Sequence, residues 1–212
     1  MSTFATDKPV KPPLTTVLET ERLVLRPIRT NDIPELYKAL RRNVDHLRPF
    51  SPQPAPEDRR VTLALASREV TRWRTLWRRN DSYAFFLFPR GVSPHAPVVG
   101  RVTLGRVTRG AFMNAYLGYF IDKDEQGKGL ASEAVRAVVT YAFDALGLHR
   151  VQAAIMPRNA SSLRVAERCN FRKEGHALRY LQIAGNWENH DIFATTTEEW
   201  VREPIAPRTR NV

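Results

Sequence analysis

The chain has 212 residues, of which 42 % are hydrophobic and 26 % charged, as in an ordinary globular domain with a full core. No apolar run approaches the roughly 20 residues of a membrane span, and the single cysteine, Cys169, excludes an internal disulfide. We therefore expect a cytoplasmic protein without a metal, since the five histidines also lack metal-ligand spacing. The net charge of +11 predicts an anionic cofactor, a nucleic acid or a ribosome as partner, and a merely solvated basic surface is the alternative.

Hydrophobic periodicity and the positions of proline and glycine predict the secondary structure. In chain order, the predicted elements are a flexible arm (1–18), a strand (19–28), a helix (about 30–42), a loop (46–56), a helix (57–79), three strands (83–88, 98–107 and 114–121), a helix (130–146), a strand (149–156), a short helix (about 159–168), two strands (171–178 and 187–196) and a flexible tail (201–212). Gly100 and Gly105 are expected to be bulge or bend points of their strand, Gly147 is expected to end the helix before it in a left-handed conformation, and the run from Phe85 to Phe88 indicates burial on both faces. This order predicts a mixed α/β sheet in one domain, residues 19–200.

A glycine-rich turn, residues 124–132, joins a buried strand to the N-terminus of a helix. The first amides of a helix have no partner within it and carry the positive end of its dipole, so such a turn can bind a phosphate. Gly127 and Gly129 would let the backbone approach that anion closely. The spacing fits neither a Walker loop nor the dinucleotide fingerprint, which requires glycine or alanine where Ser132 stands.

Two motifs carry a family resemblance. The spacing Gln126-x-x-Gly129-x-Ala131 resembles the pyrophosphate loop of the GNAT acyl-CoA N-acyltransferases. A second block resembles the family pattern N-x-x-S-x-x-V-x-E-x-x-G-F through Asn159, Ser162, Val165, Glu167 and Phe171. Asn170 replaces the usual glycine of that block, and asparagine is the next best residue for a helix end with positive φ.

Further short motifs, from Glu174-Gly175 to Trp200, are similar to those of the RimJ/RimL ribosomal-protein N-terminal acetyltransferases. Residues 47–50 and 117–119 look closest to the alanine branch of that group. The resemblance implies the GNAT fold, in which a mostly antiparallel mixed sheet opens at the acyl-CoA site and carries helices on both faces. It also implies acetyl-CoA as the co-substrate and no metal.

The resemblance assigns roles to individual residues. The coenzyme would contact the strand edge and the loop through Tyr119, Phe120, Ile121, Gln126, Gly127, Lys128, Gly129, Leu130 and Ala131. Asn159 and Ser162 would contact its thiol end; capping of the following helix is compatible with this role for Asn159 and is the alternative for Ser162. Ser162 is the predicted proton donor to sulfur, since Ala166 stands where many family members have tyrosine.

The remaining site assignments concern the acyl oxygen and the acceptor. The backbone amide of Phe120 would bind the oxyanion, and Phe50, Tyr180 and Trp187 would line the acceptor groove. Glu188 is a candidate base, although a solvated strand end explains it equally well. Cys169 is expected to be a buried, unreactive side chain, because no adjacent base would activate its thiol.

The predicted reaction is transfer of the acetyl group of acetyl-CoA to an amine, most of all the N-terminal α-amine of an Ala- or Ser-first protein, such as a ribosomal protein. Two alternatives stay open: acetylation of a small amine, such as a polyamine or an antibiotic, and a non-catalytic module that binds acyl-CoA or the ribosome. The basic surface would serve ribosome association, and the active unit would be a monomer or a homodimer.

Overall fold

The computed structural model describes residues 11–55, 58–92, 96–202 and, for the backbone, 206–209. The helices in these ranges are α1 (Ile33–Leu47), α2 (Leu63–Arg78), α3 (Leu130–Asp144) and α4 (Ala160–Arg168). The strands are β1 (Thr16–Glu19), β2 (Leu23–Arg26), β3 (Tyr83–Pro89), β4 (Gly100–Thr108), β5 (Asn114–Ile121), β6 (Arg150–Ile155), β7 (Arg172–Ile183), β8 (Asn186–Thr196) and β9 (Ala206–Thr209). None of the helices in the described ranges is both long and apolar enough to cross a bilayer.

All the strands belong to one sheet in the order β7-β8-β6-β5-β4-β3-β2-β1-β9. Every neighbouring pair is antiparallel except β5 and β6, which run parallel, so the predicted mixed sheet is confirmed. Among the described residues, the paired positions of β5 and β6 are only Asn114 to Tyr116 with Arg150 to Gln152. The opposite edge of β5 stays paired with β4 as far as Ile121. The sheet therefore opens between β5 and β6 beyond Tyr116.

Helices cover both faces of the sheet. On one face α3 packs into a large apolar cluster with alternate residues of the central strands, including Phe85 and Leu87. On the other face α1 and α2 enclose a smaller cluster that contains Phe86 and Phe88. All four of these β3 side chains are buried, which confirms the prediction that this strand is covered on both faces.

Both predicted ends of the domain need correction. The predicted strand 19–28 is two short strands, β1 and β2, and residues 16–18 of the predicted arm lie in β1. The turn between them contains neither glycine nor proline that would mark it in the sequence, and it is closed by the Leu23 amide donating to Thr20 Oγ1 at 3.1 Å. Within the predicted tail 201–212, β9 pairs with β1. Residues 1–10 lie outside the described part of the chain.

Several other boundaries move because tertiary contacts override local signals. Helix α1 continues to Leu47 and into a 3-10 turn, Arg48–Phe50, because the buried Asn43 donates to the Ala39 carbonyl at 2.8 Å instead of ending the helix. Helix α2 begins at Leu63 rather than at 57, with Thr62 as its N-cap. Strand β7 extends to Ile183, beyond its predicted end at 178.

The predictions for Gly147, Asn170 and Gly105 are confirmed, whereas Gly100 forms no bulge and pairs regularly with Leu87 and Ile121. Gly147 has a φ of 61° after α3, and Asn170 has a φ of 54° after α4, both in the left-handed region. The register of β4 and β5 shifts between Gly105 and Thr108, as expected for a bulge at Gly105.

Asp122 anchors the end of β5 to α1. Its buried carboxylate accepts hydrogen bonds from Arg42 Nε at 2.8 Å, from Asn43 Nδ2 at 2.9 Å and from the Asp124 amide at 3.1 Å. Burial alone would raise the pKa of Asp122, but the hydrogen bonds from Arg42, Asn43 and the amide together lower it. Asn43 Oδ1 also accepts from the Lys123 amide at 2.8 Å, so α1 fixes the backbone where the glycine-rich turn starts.

Replacing Asp122 tests this anchor. We expect Asp122→Asn to lower the free energy of unfolding by about 1–3 kcal/mol at pH 7, because it leaves the partly buried Arg42 with only the exposed carboxylate of Asp124, at 3.7 Å, as counter-charge. The folded-state pKa of Asp122 is lowered, so its contribution is complete above about pH 4 and is lost as the pH falls through the folded value. Urea unfolding of both proteins should therefore show a constant difference in the free energy of unfolding above about pH 4, and a smaller difference at lower pH.

The matched control is Asp144→Asn. Asp144 accepts from Arg202 Nε at 2.8 Å, but both side chains of this pair are about half exposed. Its loss should change the free energy of unfolding by no more than about 0.5 kcal/mol. Equal effects of the two substitutions would contradict the anchoring role of Asp122.

Candidate active site

A cleft of about 230 Å³ lies where β5 and β6 diverge. Its walls are the end of β5, the turn into α3, the start of α4 and the end of α1. Most of the predicted site residues line it: Phe50, Tyr119, Phe120, Ile121, Gln126, Gly127, Gly129, Leu130, Ala131, Asn159 and Ser162. Lys128, Tyr180, Trp187 and Glu188 are outside this lining. Chain positions from 46 to 168 are thus brought to one opening in the sheet.

The turn before α3 has the geometry of an anion-binding loop. Gly127 and Gly129 have φ values of 77° and 79°, a region that side-chain-bearing residues rarely adopt. The first hydrogen bond of the helix runs from the Glu133 amide to the Gly129 carbonyl at 3.2 Å. The amides of residues 130–132 precede this bond, and all three residues line the cleft. The helix thus offers its N-terminal amides and positive dipole end to a ligand there.

A brace that the sequence did not predict holds this loop from behind. Arg22, in the turn between β1 and β2, donates through Nη1 to the Lys128 carbonyl at 2.7 Å and through Nε to Glu133 Oε2 at 2.7 Å. Thr20 Oγ1 donates to the other carboxylate oxygen of Glu133 at 2.6 Å. Burial would raise the pKa of Glu133, but the hydrogen bonds from Thr20 and Arg22 lower it. The Lys128 side chain itself pairs with Glu125 at 2.9 Å.

Tyr119 crosses the cleft from β5 to α4. Its hydroxyl donates to the Ser162 carbonyl at 3.0 Å, and burial raises the pKa of this phenol, so it is neutral at physiological pH. The sequence assigned only the backbone of Tyr119 to the site, because the contact joins residues that are far apart in the chain. This hydrogen bond sets the distance between the strand edge and the first turn of α4.

The start of α4 is built by Asn159. Its side-chain oxygen accepts from the Ser162 amide at 3.1 Å and from Ser161 Oγ at 2.9 Å, so the capping alternative is confirmed for Asn159. This cap holds the half-buried Ser162 against the cleft, opposite the β5 edge. Ala166 and Cys169 are buried behind it, with Cys169 Sγ 3.6 Å from the Ser132 carbonyl.

At the other end of the cleft, Arg158 ties three segments together. It donates to the Pro49 carbonyl at 2.8 Å and pairs with Glu188 at 3.0 Å, while its guanidinium lies 5.5 Å from the centre of the Phe50 ring. Glu188, the predicted base, is therefore engaged in an ion pair with Arg158 and lies outside the lining of the cleft. A structural role explains its position better.

Tyr180 and Trp187, on the hairpin of β7 and β8, lie outside the lining of the cleft. The Tyr180 ring packs against His190 at 5.6 Å, and the Trp187 side chain is 63 % exposed. A cleft residue that sequence reasoning missed is His46, whose Nε2 lies 2.6 Å from Gln126 Nε2. An amide nitrogen can only donate, so the ring nitrogen of His46 accepts this bond. His46 was placed in a loop by the sequence, and no local spacing linked it to Gln126.

The cleft carries positive charge. Arg164 and Arg168 line it, whereas Glu125 is the one carboxylate in the lining within the described residues, and it is paired with Lys128. No group of three or more histidine, cysteine or acidic side chains that could hold a metal occurs in the described ranges. These features suit a multiply charged anionic ligand that binds between the N-terminus of α3 and α4.

Residues 22–172 match the family model of the acetyltransferase (GNAT) domain. The chain belongs to the GNAT family of acetyltransferases, which confirms the predicted family, fold and acetyl-transfer chemistry. It is 36 % identical to the "Probable N-acetyltransferase YjcK" of Bacillus subtilis over 178 residues, 84 % of this chain and 96 % of the relative. It is 31 % identical to the Escherichia coli [ribosomal protein uS5]-alanine N-acetyltransferase over 183 residues, 86 % of this chain and 92 % of the relative.

A solved structure supports the ligand assignment. Mycobacterium smegmatis RimJ in complex with CoA-disulfide superimposes with a TM-score of 0.78 at 29 % identity, covering 87 % of this chain and 88 % of RimJ. A family neighbour with the same fold thus binds coenzyme A. The loop before α3, with its left-handed glycines and its N-terminal amides, fits the phosphates of such a coenzyme.

Replacing Ser162 tests its role at the sulfur. We expect Ser162→Ala to lower kcat by roughly ten- to a hundredfold with little change in KM for acetyl-CoA, because a hydrogen bond to the sulfur strengthens as the thiolate forms. Steady-state kinetics that follow the released thiol would measure both constants.

The matched control is Ser161→Ala, one residue away at the same helix start. Ser161 contributes its hydroxyl to the Asn159 cap, so its loss should leave kcat within about threefold of wild type. If Ser162→Ala matched this control, Ser162 would be a capping residue and nothing more.

Proposed function

We propose that this protein transfers the acetyl group of acetyl-CoA to the N-terminal α-amine of a protein whose first residue is alanine or serine, such as a ribosomal protein. The observation that carries the proposal is the charge of the cleft. Its one described carboxylate, Glu125, is already paired with Lys128, and the other charged residues of the lining are Arg164 and Arg168. A polyamine or an aminoglycoside, with several positive charges, would need acidic groups there.

The proposed reaction is a direct attack of the amine on the thioester. The carbon–nitrogen bond forms as a tetrahedral oxyanion develops, and a backbone amide on the free edge of β5 would donate to that oxyanion. The Asp122 amide donates to the Val99 carbonyl, so Phe120, two residues earlier, also faces β4. The neighbouring amide of Tyr119 or Ile121 would therefore take the role predicted for Phe120. The carbon–sulfur bond then breaks, and the hydroxyl of Ser162 would give its proton to the departing thiolate. The proton that the amine loses would pass to water, and water would in turn restore the hydroxyl of Ser162.

No carboxylate in the described lining of the cleft is free to act as a general base, and this favours an α-amine over a lysine as the acceptor. An α-amino group has a pKa of about 7.7–8.0, so roughly a tenth of it is neutral near pH 7 without help. A lysine, with a pKa of about 10.4, is neutral only about once in two thousand molecules. Since Glu188 is paired with Arg158, a substrate that is already partly deprotonated suits this cleft best.

The comparisons support a ribosomal acceptor without deciding it. The Escherichia coli relative at 31 % identity is named for the alanine of ribosomal protein uS5, and its alignment extends over most of both chains. An acceptor of this kind would place the reaction in the cytoplasm. A non-catalytic binding module is disfavoured, because the loop, the α4 cap and Ser162 keep the arrangement that acetyl transfer requires.

A peptide panel tests the acceptor. Peptides that begin with alanine, serine, glycine, leucine or glutamate would be compared with spermidine and an aminoglycoside by thiol release and by mass spectrometry. We expect the Ala- and Ser-first peptides to react at least about tenfold faster than the others, because the first side chain meets the confined wall formed by His46, Leu47 and Phe50.

The control is the Ala-first peptide with its α-amine already acetylated and one free lysine. It should be inert, since the lysine is almost wholly protonated at pH 7. Modification of that lysine at the rate of the free Ala-first peptide, or faster turnover of spermidine, would contradict the proposal.

A further inference from the structure

A second groove lies between α1 and the segment that leads to α2. Four arginines line it, Arg41, Arg48, Arg59 and Arg60, together with Tyr37 and two valines. Arg41 and Arg48 come from the end of α1 and its 3-10 turn, whereas Arg59 and Arg60 approach from the other side. The structure thus brings side chains from two segments of the chain to one groove.

The groove has more positive charge than its own surroundings neutralise. Arg48 pairs with Asp45 at 2.8 Å, with both side chains largely exposed. Within the described residues, Arg41, Arg59 and Arg60 have no recorded carboxylate partner, and Asp58 is engaged by Arg68. A ligand of this groove would therefore be anionic.

The groove begins where the acceptor end of the cleft stops. Arg48 and Phe50 are the first and last residues of one 3-10 turn, and Phe50 lines the cleft while Arg48 lines the groove. The rise of such a turn is about 2 Å per residue, so the two sites are neighbours on one surface. An extended peptide advances about 3.3 Å per residue, so a chain whose first residue lies in the cleft would reach the groove within roughly three to six residues.

We propose that this groove binds acidic side chains of the acceptor protein a few residues after its N-terminus. The inference rests on the proposed function and adds a second specificity site to it. Arginine suits the role because its planar guanidinium binds a carboxylate through two parallel hydrogen bonds. Affinity and choice of acceptor then depend on the sequence beyond the first residue.

A peptide fits this groove better than RNA does. Val44 and Val61 give it apolar surface, which suits the methylene stems of peptide side chains. Binding of single-stranded RNA relies on open aromatic faces for stacking, but the guanidinium of Arg41 lies 5.6 Å from the centre of the Tyr37 ring and its Nη1 donates to the Tyr37 hydroxyl at 3.2 Å.

The test compares two Ala-first peptides of equal length that carry either glutamates or glutamines from roughly the fourth residue onward. For the wild type at low salt we expect KM for the glutamate peptide to be about three- to tenfold lower, with equal kcat, and the advantage should fade as salt screens the charges. In Arg59→Gln/Arg60→Gln, the two KM values should agree within about twofold.

The matched control is Arg78→Gln/Arg79→Gln, an equally exposed pair of neighbouring arginines at the end of α2. It should keep the full glutamate preference. A preference that survives in Arg59→Gln/Arg60→Gln, or no preference in the wild type, would overturn the inference. Inhibition by a short RNA that disappears in the same variant, with no difference between the peptides, would identify a nucleic-acid surface and overturn it as well.

A short Ala-first tripeptide amide separates this inference from the proposed function. Turnover of the tripeptide depends on the cleft alone, so its absence would refute N-terminal acetylation. In that case the labelled glutamate and glutamine peptides still test whether the groove binds acidic side chains. Their affinities for the wild type and both double variants would be measured by fluorescence anisotropy. Tighter binding of the glutamate peptide that is lost only in Arg59→Gln/Arg60→Gln would support it, and equal binding of both peptides would contradict it.

Discussion

The site depends on the divergence of two parallel strands. β5 stays paired with β4 along its whole length, but its pairing with β6 extends only to Tyr116. Backbone amides and carbonyls beyond that point need partners, since unpaired polar groups in a protein interior are costly. A coenzyme with an amide-bearing arm can supply those partners. The opening also lets α3 and α4 direct their N-termini toward the same space, where the proposed reaction would bring the phosphates and the sulfur of the coenzyme.

Charged contacts far apart in the sequence hold this opening in shape. At the end of β5, Arg42 and Asn43 donate hydrogen bonds to Asp122. At the turn into α3, Arg22 donates to Glu133 and to the Lys128 carbonyl. The carboxylate of each brace is stabilised as an anion by several donors, which lowers its pKa despite burial. The anion-binding loop therefore has its shape before any ligand arrives, and less ordering free energy opposes binding.

Local patterns predicted most of the fold and the loop, because they depend on neighbouring residues. Helical spacing identified α3, and the left-handed conformation of Asn170 followed from residue chemistry alone. The Arg22–Glu133 and Arg42–Asp122 contacts were missed, since their partners are 111 and 80 residues apart. The turn between β1 and β2 was missed because it contains neither glycine nor proline, so no local signal separated it from the strand. Glu188 looked like a free carboxylate until the structure placed Arg158 beside it.

The most direct measurement is the affinity of a conjugate that joins coenzyme A, through an acetyl bridge, to the α-amine of an Ala-first peptide. If coenzyme and acceptor meet in the cleft between β5 and β6, this conjugate should bind at least about 100-fold more tightly than coenzyme A, because one molecule then makes both sets of contacts. The same peptide joined through a lysine side chain should gain much less. An α-amine conjugate that binds no more tightly than coenzyme A would contradict direct transfer to a protein N-terminus in this cleft.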